Sequence, residues 1–172
     1  MNAEPVTIVL VEDDPGHARL IEKNVRRAGV NNTITHFASG TEALAHLFGF
    51  DTAGKRLIKT PILVLLDLNL PDMSGIDILA RIKADDTLRL APVVVLTSTD
   101  DRAEIQRCYD LGCNVYITKP VDYESFAAAI RQLGLFLSVM QVPETVPSPS
   151  HAPSQAPSQA PPQAPSRAPS RG

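Results

Sequence analysis

Five consecutive apolar residues, Ile62-Leu63-Val64-Leu65-Leu66, run directly into a carboxylate, Asp67, and then into a turn signal made of Asn69, Pro71, Asp72, Ser74 and Gly75. A run of this length without polar alternation has no face to offer water. That restricts it to a strand buried on both sides, the condition of a parallel sheet covered by helices. Asp67 must then be solvated, paired or metal-bound, because a bare buried carboxylate is strongly disfavoured. Strand ends in open α/β sheets are also where ligands sit.

The rest of the chain to residue 142 repeats the pattern of strand followed by helix. Val6 to Val11 is an apolar run ending at Glu12-Asp13-Asp14. A helix is predicted from about Pro15, a favourable first-turn residue, with Ala18, Ile21, Val25 and Ala28 on one face and Gly29 as its stop. Thr33 to Phe37 alternates as a short strand, and Ser39 or Thr41 caps a helix bearing Ala43, Leu44 and Leu47. Gly75 opens a helix carrying Ile76, Leu79 and Ile82. Val93 to Leu96 is a fourth strand, ending at Thr97-Ser98-Thr99, and Asp100 or Asp101 caps a helix that carries Ile105 and Tyr109 and stops at Gly112. Val115 to Ile117 is a fifth strand, ending at Thr118-Lys119-Pro120. The last helix begins near Asp122 with Phe126, Ile130, Leu133 and Leu137 on one face. Five strands with intervening helices make an α/β fold, a parallel sheet with helices on both faces and right-handed crossovers.

In such a sheet the polar clusters after the strands line one edge, so Glu12-Asp13-Asp14, Asp67, Thr97-Ser98 and Lys119 can converge. Carboxylates about 5 Å apart at an effective dielectric near 20 repel by roughly 3 kcal/mol per pair, so the group requires a cation. Magnesium suits it, being octahedral, oxygen-seeking and often shared with phosphate. With a lysine and a hydroxyl beside a single Asp, the set reads as a phosphoryl-acceptor site with Asp67 as nucleophile.

VEDDP, LLDLNLPDMSG, VVLTS and YITKP together resemble the response-regulator receiver domain of bacterial two-component signalling, over residues 5 to about 138. The resemblance implies a doubly wound, flavodoxin-like sheet of order 2-1-3-4-5. It also implies that Asp67 accepts phosphate from a sensor histidine kinase. Glu12 and Asp13 match the paired magnesium acids, with Asp14 the competing choice, and the Asn69 backbone carbonyl matches a further ligand beside Asp67. Thr97 resembles the switch hydroxyl, Tyr116 the aromatic that follows it, and Lys119 the phosphate-binding lysine. The family pattern also implies a cis Lys119–Pro120 bond. The product would be a signalling protein, not an enzyme. A haloacid-dehalogenase-type phosphatase, which also uses an aspartyl nucleophile, places a second Asp where this chain has Asn69, and the intact acid, Thr and Lys set disfavours a phosphate-independent scaffold.

The longer, basic stretch 48–60, with LDLNLP and the terminal LGLFLSVMQVPE, is similar to single-domain regulators that partner bacterial phytochromes. Phe136, Leu137, Val139, Met140 and Val142 are too apolar to end in water, so a homodimer through this segment and Tyr116 is expected. From Pro143 the chain changes character. Nine of its fifteen prolines fall in the last thirty residues, with Ala152, Ala156, Ala160, Ala164 and Ala168 marking a four-residue repeat, so 143–172 reads as a disordered tail after a 1–142 domain. A net charge of -3 without a basic stripe leaves nucleic acid no electrostatic footprint. No run reaches a membrane span and the N-terminus lacks a signal pattern, so a cytoplasmic protein is expected. Cys108 and Cys113 have no second ligand pair and read as buried thiols.

Overall fold

The computed structural model describes residues 6–59 and 61–139. Five parallel strands, β1 (Thr7–Val11), β2 (Ile34–Phe37), β3 (Ile62–Leu66), β4 (Val93–Thr97) and β5 (Val115–Thr118), pair in the order β2-β1-β3-β4-β5. The helices are α1 (Pro15–Arg27), α2 (Gly40–Phe48), α3 (Gly75–Ala84), α4 (Arg102–Leu111) and α5 (Tyr123–Val139), with a 3-10 turn at Leu88–Leu90. This is the flavodoxin-like order, and the strand and helix assignments read from periodicity agree with it to within about two residues.

The central strands carry two cores at once because successive side chains point to opposite faces. Val9, Val11, Ile62, Val64, Leu66, Val93 and Val95 pack with α2, α3 and the Cys108 side of α4. Ile8, Leu10, Leu63, Leu65, Val94 and Leu96 pack with α1 and α5, including Phe126, Ile130 and Leu133. All five residues of β3 are buried, so no register slip can expose a polar face. On the second face a buried Asn24 ties the two helices: its Nδ2 donates to Leu20 O, and its Oδ1 accepts from Arg131 Nη1 at 3.2 Å. Cys108 and Cys113 are buried free thiols, and burial pushes the Cys108 thiol up to about 11.

The stretch 48–60 carries structure of its own. Phe50 and Arg56 form an antiparallel bridge, Asp51 Oδ1 accepts from Ala53 N and Lys55 N, and Arg56 Nη2 reaches Asp85 Oδ2 at 2.6 Å. At the β5 edge, Tyr109 is half exposed instead of packing inward, and its hydroxyl accepts from Tyr116 N at 3.3 Å. The C-terminal apolar segment is helical through residue 139. Phe136 is half exposed beside Leu135, whereas Leu137 packs onto the α1/α5 core. Met140, Val142 and the proline-rich tail lie outside the described residues, as does the Val139 side chain. Among the described residues no helix is long and apolar enough to cross a membrane.

Candidate functional site

Strand geometry delivers the acids and the lysine to one place. Glu12 follows β1, with its N–H donating to Phe37 O at 3.0 Å, and Asp67 follows β3, with its N–H donating to Val11 O at 2.9 Å. Lys119 follows β5 and donates its N–H to Thr97 O at 2.7 Å. From there Lys119 Nζ reaches across the edge, to Glu12 Oε2 at 2.5 Å and Asp67 Oδ2 at 2.7 Å. The three side chains are almost closed to solvent, at 5%, 1% and 7% exposure for Lys119, Glu12 and Asp67. A lysine placed between two buried carboxylates offsets part of their charge and leaves the cluster, with Asp13, net negative. Burial pushes the Glu12 carboxyl above its usual range even so, outweighing the hydrogen bond and charge of Lys119.

Three consecutive acids follow β1, and geometry separates them. Asp14 caps α1, its Oδ1 accepting from His17 N at 2.8 Å, and that bond holds its carboxyl below the usual range. Glu12, Asp13 and Asp67 instead offer carboxylate oxygens within 4.8 Å of one another. Hard oxygen donors of this kind fit a magnesium-type ion, which takes carboxylates and keeps water in the rest of its shell.

Asn69 does more than the sequence reading gave it. Its N–H donates to Asp67 Oδ1 at 3.1 Å, and its Nδ2 donates to Thr97 Oγ1 at 3.1 Å and lies 3.5 Å from Ser98 Oγ. The sequence marks Asn69 as a turn residue and as the place where a phosphatase would carry its second Asp, and the family resemblance adds its carbonyl, but no local pattern tells which residue on another strand its side-chain amide will meet. Thr97 is fully buried. Tyr116 is half buried, and its hydroxyl donates to Thr99 O at 3.0 Å with Glu104 Oε1 at 3.4 Å; burial, then the charge of Glu104, raises the phenol well above its ordinary range.

Directly behind the end of β3, Gly75 N donates to Leu68 O at 2.9 Å. A Cβ on Gly75 would strike Asp67 O and come within 2.7 Å of Leu68 Cα, so only glycine lets α3 start this close to Asp67. One implied feature is corrected: the Lys119–Pro120 bond is trans. Trans is the lower-energy form of an X–Pro bond, and from it Lys119 already reaches both carboxylates.

Residues 8–131 match the response regulator receiver domain. The chain belongs to this family. A crystal structure of a response regulator receiver domain from Rhodospirillum rubrum is 69% identical, covering 80% of this chain and 97% of that one with a TM-score of 0.76. The phosphorylated cyanobacterial phytochrome response regulator RcpA is 34% identical over 83% of this chain and all of its own, with a TM-score of 0.71. Response regulator Rcp1 of Synechocystis is 34% identical over 67% of this chain and 77% of its own, and it has been solved in a manganese-bound form. The receiver chain is thus a phosphoryl-accepting two-component regulator, homologous to stand-alone phytochrome response regulators. Receiver domains are signalling proteins whose partners are sensor histidine kinases.

Proposed function

We propose that Asp67 is the phosphoryl acceptor of a stand-alone regulator whose phosphorylation depends on magnesium. The observation that carries this reading is Lys119 Nζ bridging Asp67 and Glu12 in a nearly closed pocket that Asp13 also borders. Asp67 Oδ attacks the phosphorus of a kinase phosphohistidine, the P–N bond breaks, the imidazole leaves and takes up a proton, and an acyl phosphate forms on Asp67. Glu12, Asp13, Asp67 and the Asn69 carbonyl would hold magnesium, which when bound supplies positive charge against the transferring oxygens. Lys119 balances charge before transfer and pairs with phosphoryl oxygens after it.

The switch follows from the bonds Thr97 and Tyr116 already make. The Thr97 hydroxyl accepts from Asn69, leaving its own proton free to donate to a phosphoryl oxygen. Thr99, two residues on, is tethered through its carbonyl to the Tyr116 hydroxyl, so a loop drawn toward the phosphate pulls on Tyr116. The signal thereby reaches the face of α4, β5 and α5.

The kinase partner we propose is of phytochrome type, supported by the phytochrome regulators among the structural relatives. The setting is cytoplasmic, and a homodimer forms through Tyr116, Phe136, Leu137 and the segment containing Val139, Met140 and Val142. The family match favours this reading over the haloacid-dehalogenase-type phosphatase and the phosphate-independent scaffold. Incubation with magnesium and acetyl phosphate is expected to label the wild type and leave Asp67→Asn unlabelled. Equal labelling of the two ends the assignment.

A further inference from the structure

The loop between β3 and α3 is closed at its base and clasped at its tip. Asn69 and Ser74 form an isolated antiparallel bridge, closing a short excursion through Leu70, Pro71, Asp72 and Met73. At the tip, Asp72 Oδ1 accepts from Gly40 N at 2.9 Å, while Oδ2 accepts from Thr41 N at 2.7 Å and from the Thr41 hydroxyl at 2.5 Å. Met73 fills the space in front of Gly40, where any Cβ would collide with its side chain.

These bonds are not the helix's own cap. Ser39 already serves α2 in that way, its Oγ accepting from Glu42 N at 3.3 Å. Asp72 adds three further bonds from an exposed loop thirty-one residues along the chain. A carboxylate at the positive end of α2 is a favourable anchor. The element that gains most is the loop, whose Leu70 and Met73 rest on the core through apolar contact, which the three bonds of Asp72 supplement with directional ones, and which carries Asn69 beside Asp67. A metal ligand from the main chain works only if its loop is held to within about 0.5 Å.

We propose that Asp72 is a positioning residue for the cation site: by clasping the 69–74 loop to the N-terminus of α2, it holds Asn69 in register with Asp67 and Thr97. This rests on the reading of Asp67 and Asn69 given above. Partners that orient metal ligands in this way commonly change affinity by ten- to a hundredfold when removed.

The test uses the full chain and Mn2+ alone, with binding followed by the electron paramagnetic resonance signal of free Mn2+. Asp72→Ala is expected to weaken binding about tenfold and Thr41→Val, which keeps both main-chain bonds, roughly threefold, with Thr41→Ser restoring wild-type affinity. Wild-type Mn2+ affinity in a folded Asp72→Ala, with only a lower melting temperature, overturns the proposal and leaves a purely structural tie. If Asp72→Ala fails to fold, Thr41→Val decides by the same criterion, unchanged affinity being the refuting result. Wild-type Mn2+ binding by Asp67→Asn, by contrast, would overturn the site reading itself.

Discussion

Replacing Lys119 by Met removes the cation that bridges Glu12 and Asp67 while keeping a side chain of similar length. With oxygens of the cluster within 4.8 Å of one another, an effective dielectric near 20 gives a Glu12–Asp67 repulsion on the order of 3 kcal/mol. Breaking a buried pair from one side costs about 3–5 kcal/mol by a separate route. We therefore expect the metal-free variant at pH 7.5 to melt roughly 10 °C below wild type, on the usual scaling for a domain of this size. Magnesium should close much of that gap, because a divalent ion bound to the folded state restores the missing charge. The gap should also narrow on acidification. Without Lys119 the Glu12 carboxyl, already raised by burial, rises further; an acid whose folded pKa exceeds its unfolded one gains stability at low pH and loses it as pH climbs through the folded value. Circular dichroism melts in EDTA and in saturating magnesium measure both effects. Coincident melts in EDTA, or equal magnesium shifts in the two proteins, would refute the charge-balance argument.

Gly75→Ala should lower the urea midpoint by an amount equivalent to about 1–3 kcal/mol, since its methyl meets the Asp67 and Leu68 backbone; an unchanged midpoint would contradict the close approach. The Thr41 hydroxyl, followed by the Gly40 and Thr41 N–H groups, holds the Asp72 carboxyl down at about 2, against an ordinary 3.8. Its stabilisation is complete above the ordinary value and fades as pH falls toward 2, so the melting difference between wild type and Asp72→Asn should be constant above about pH 5 and shrink below it. A difference independent of pH would exclude the ion-dependent bonds. The full chain should elute as a dimer in light scattering and Phe136→Glu as a monomer; monomeric wild type, with and without a phosphate analogue, would remove the dimer.

The fold was legible because β3 is apolar throughout, β4 is apolar up to Thr97, and α1, α3 and α5 each carry apolar residues at helical spacing, so element types and the converging edge followed from periodicity. The meeting of Asp67, Lys119 and Thr97 at one sheet edge was legible for the same reason: each directly ends or follows a strand. What was not legible depends on side-chain direction. Asp13 and Asp14 are the same residue type one position apart, yet one joins the Glu12 and Asp67 carboxylates and the other caps a helix. Tyr109 lies at helical spacing from Ile105 but turns to the β5 edge, leaving Cys108 as the buried residue of α4. The Asp72 clasp and the Arg56–Asp85 pair join residues about thirty apart, beyond the reach of any local pattern. The bond isomer at Pro120 is set by the surrounding structure, and the family expectation failed there.

The hydroxyl of Tyr109 on the Tyr116 N–H has a consequence for how this protein can be approached. β5 is an outermost strand, and a row of open N–H and C=O groups there would let any extended peptide lengthen the sheet. A side chain from the molecule's own α4 occupies the middle of that row. Partners arriving at this face are therefore recognised through side chains and shape, which the proposed movement of Tyr116 would change, instead of through main-chain pairing, which would be indifferent to that movement.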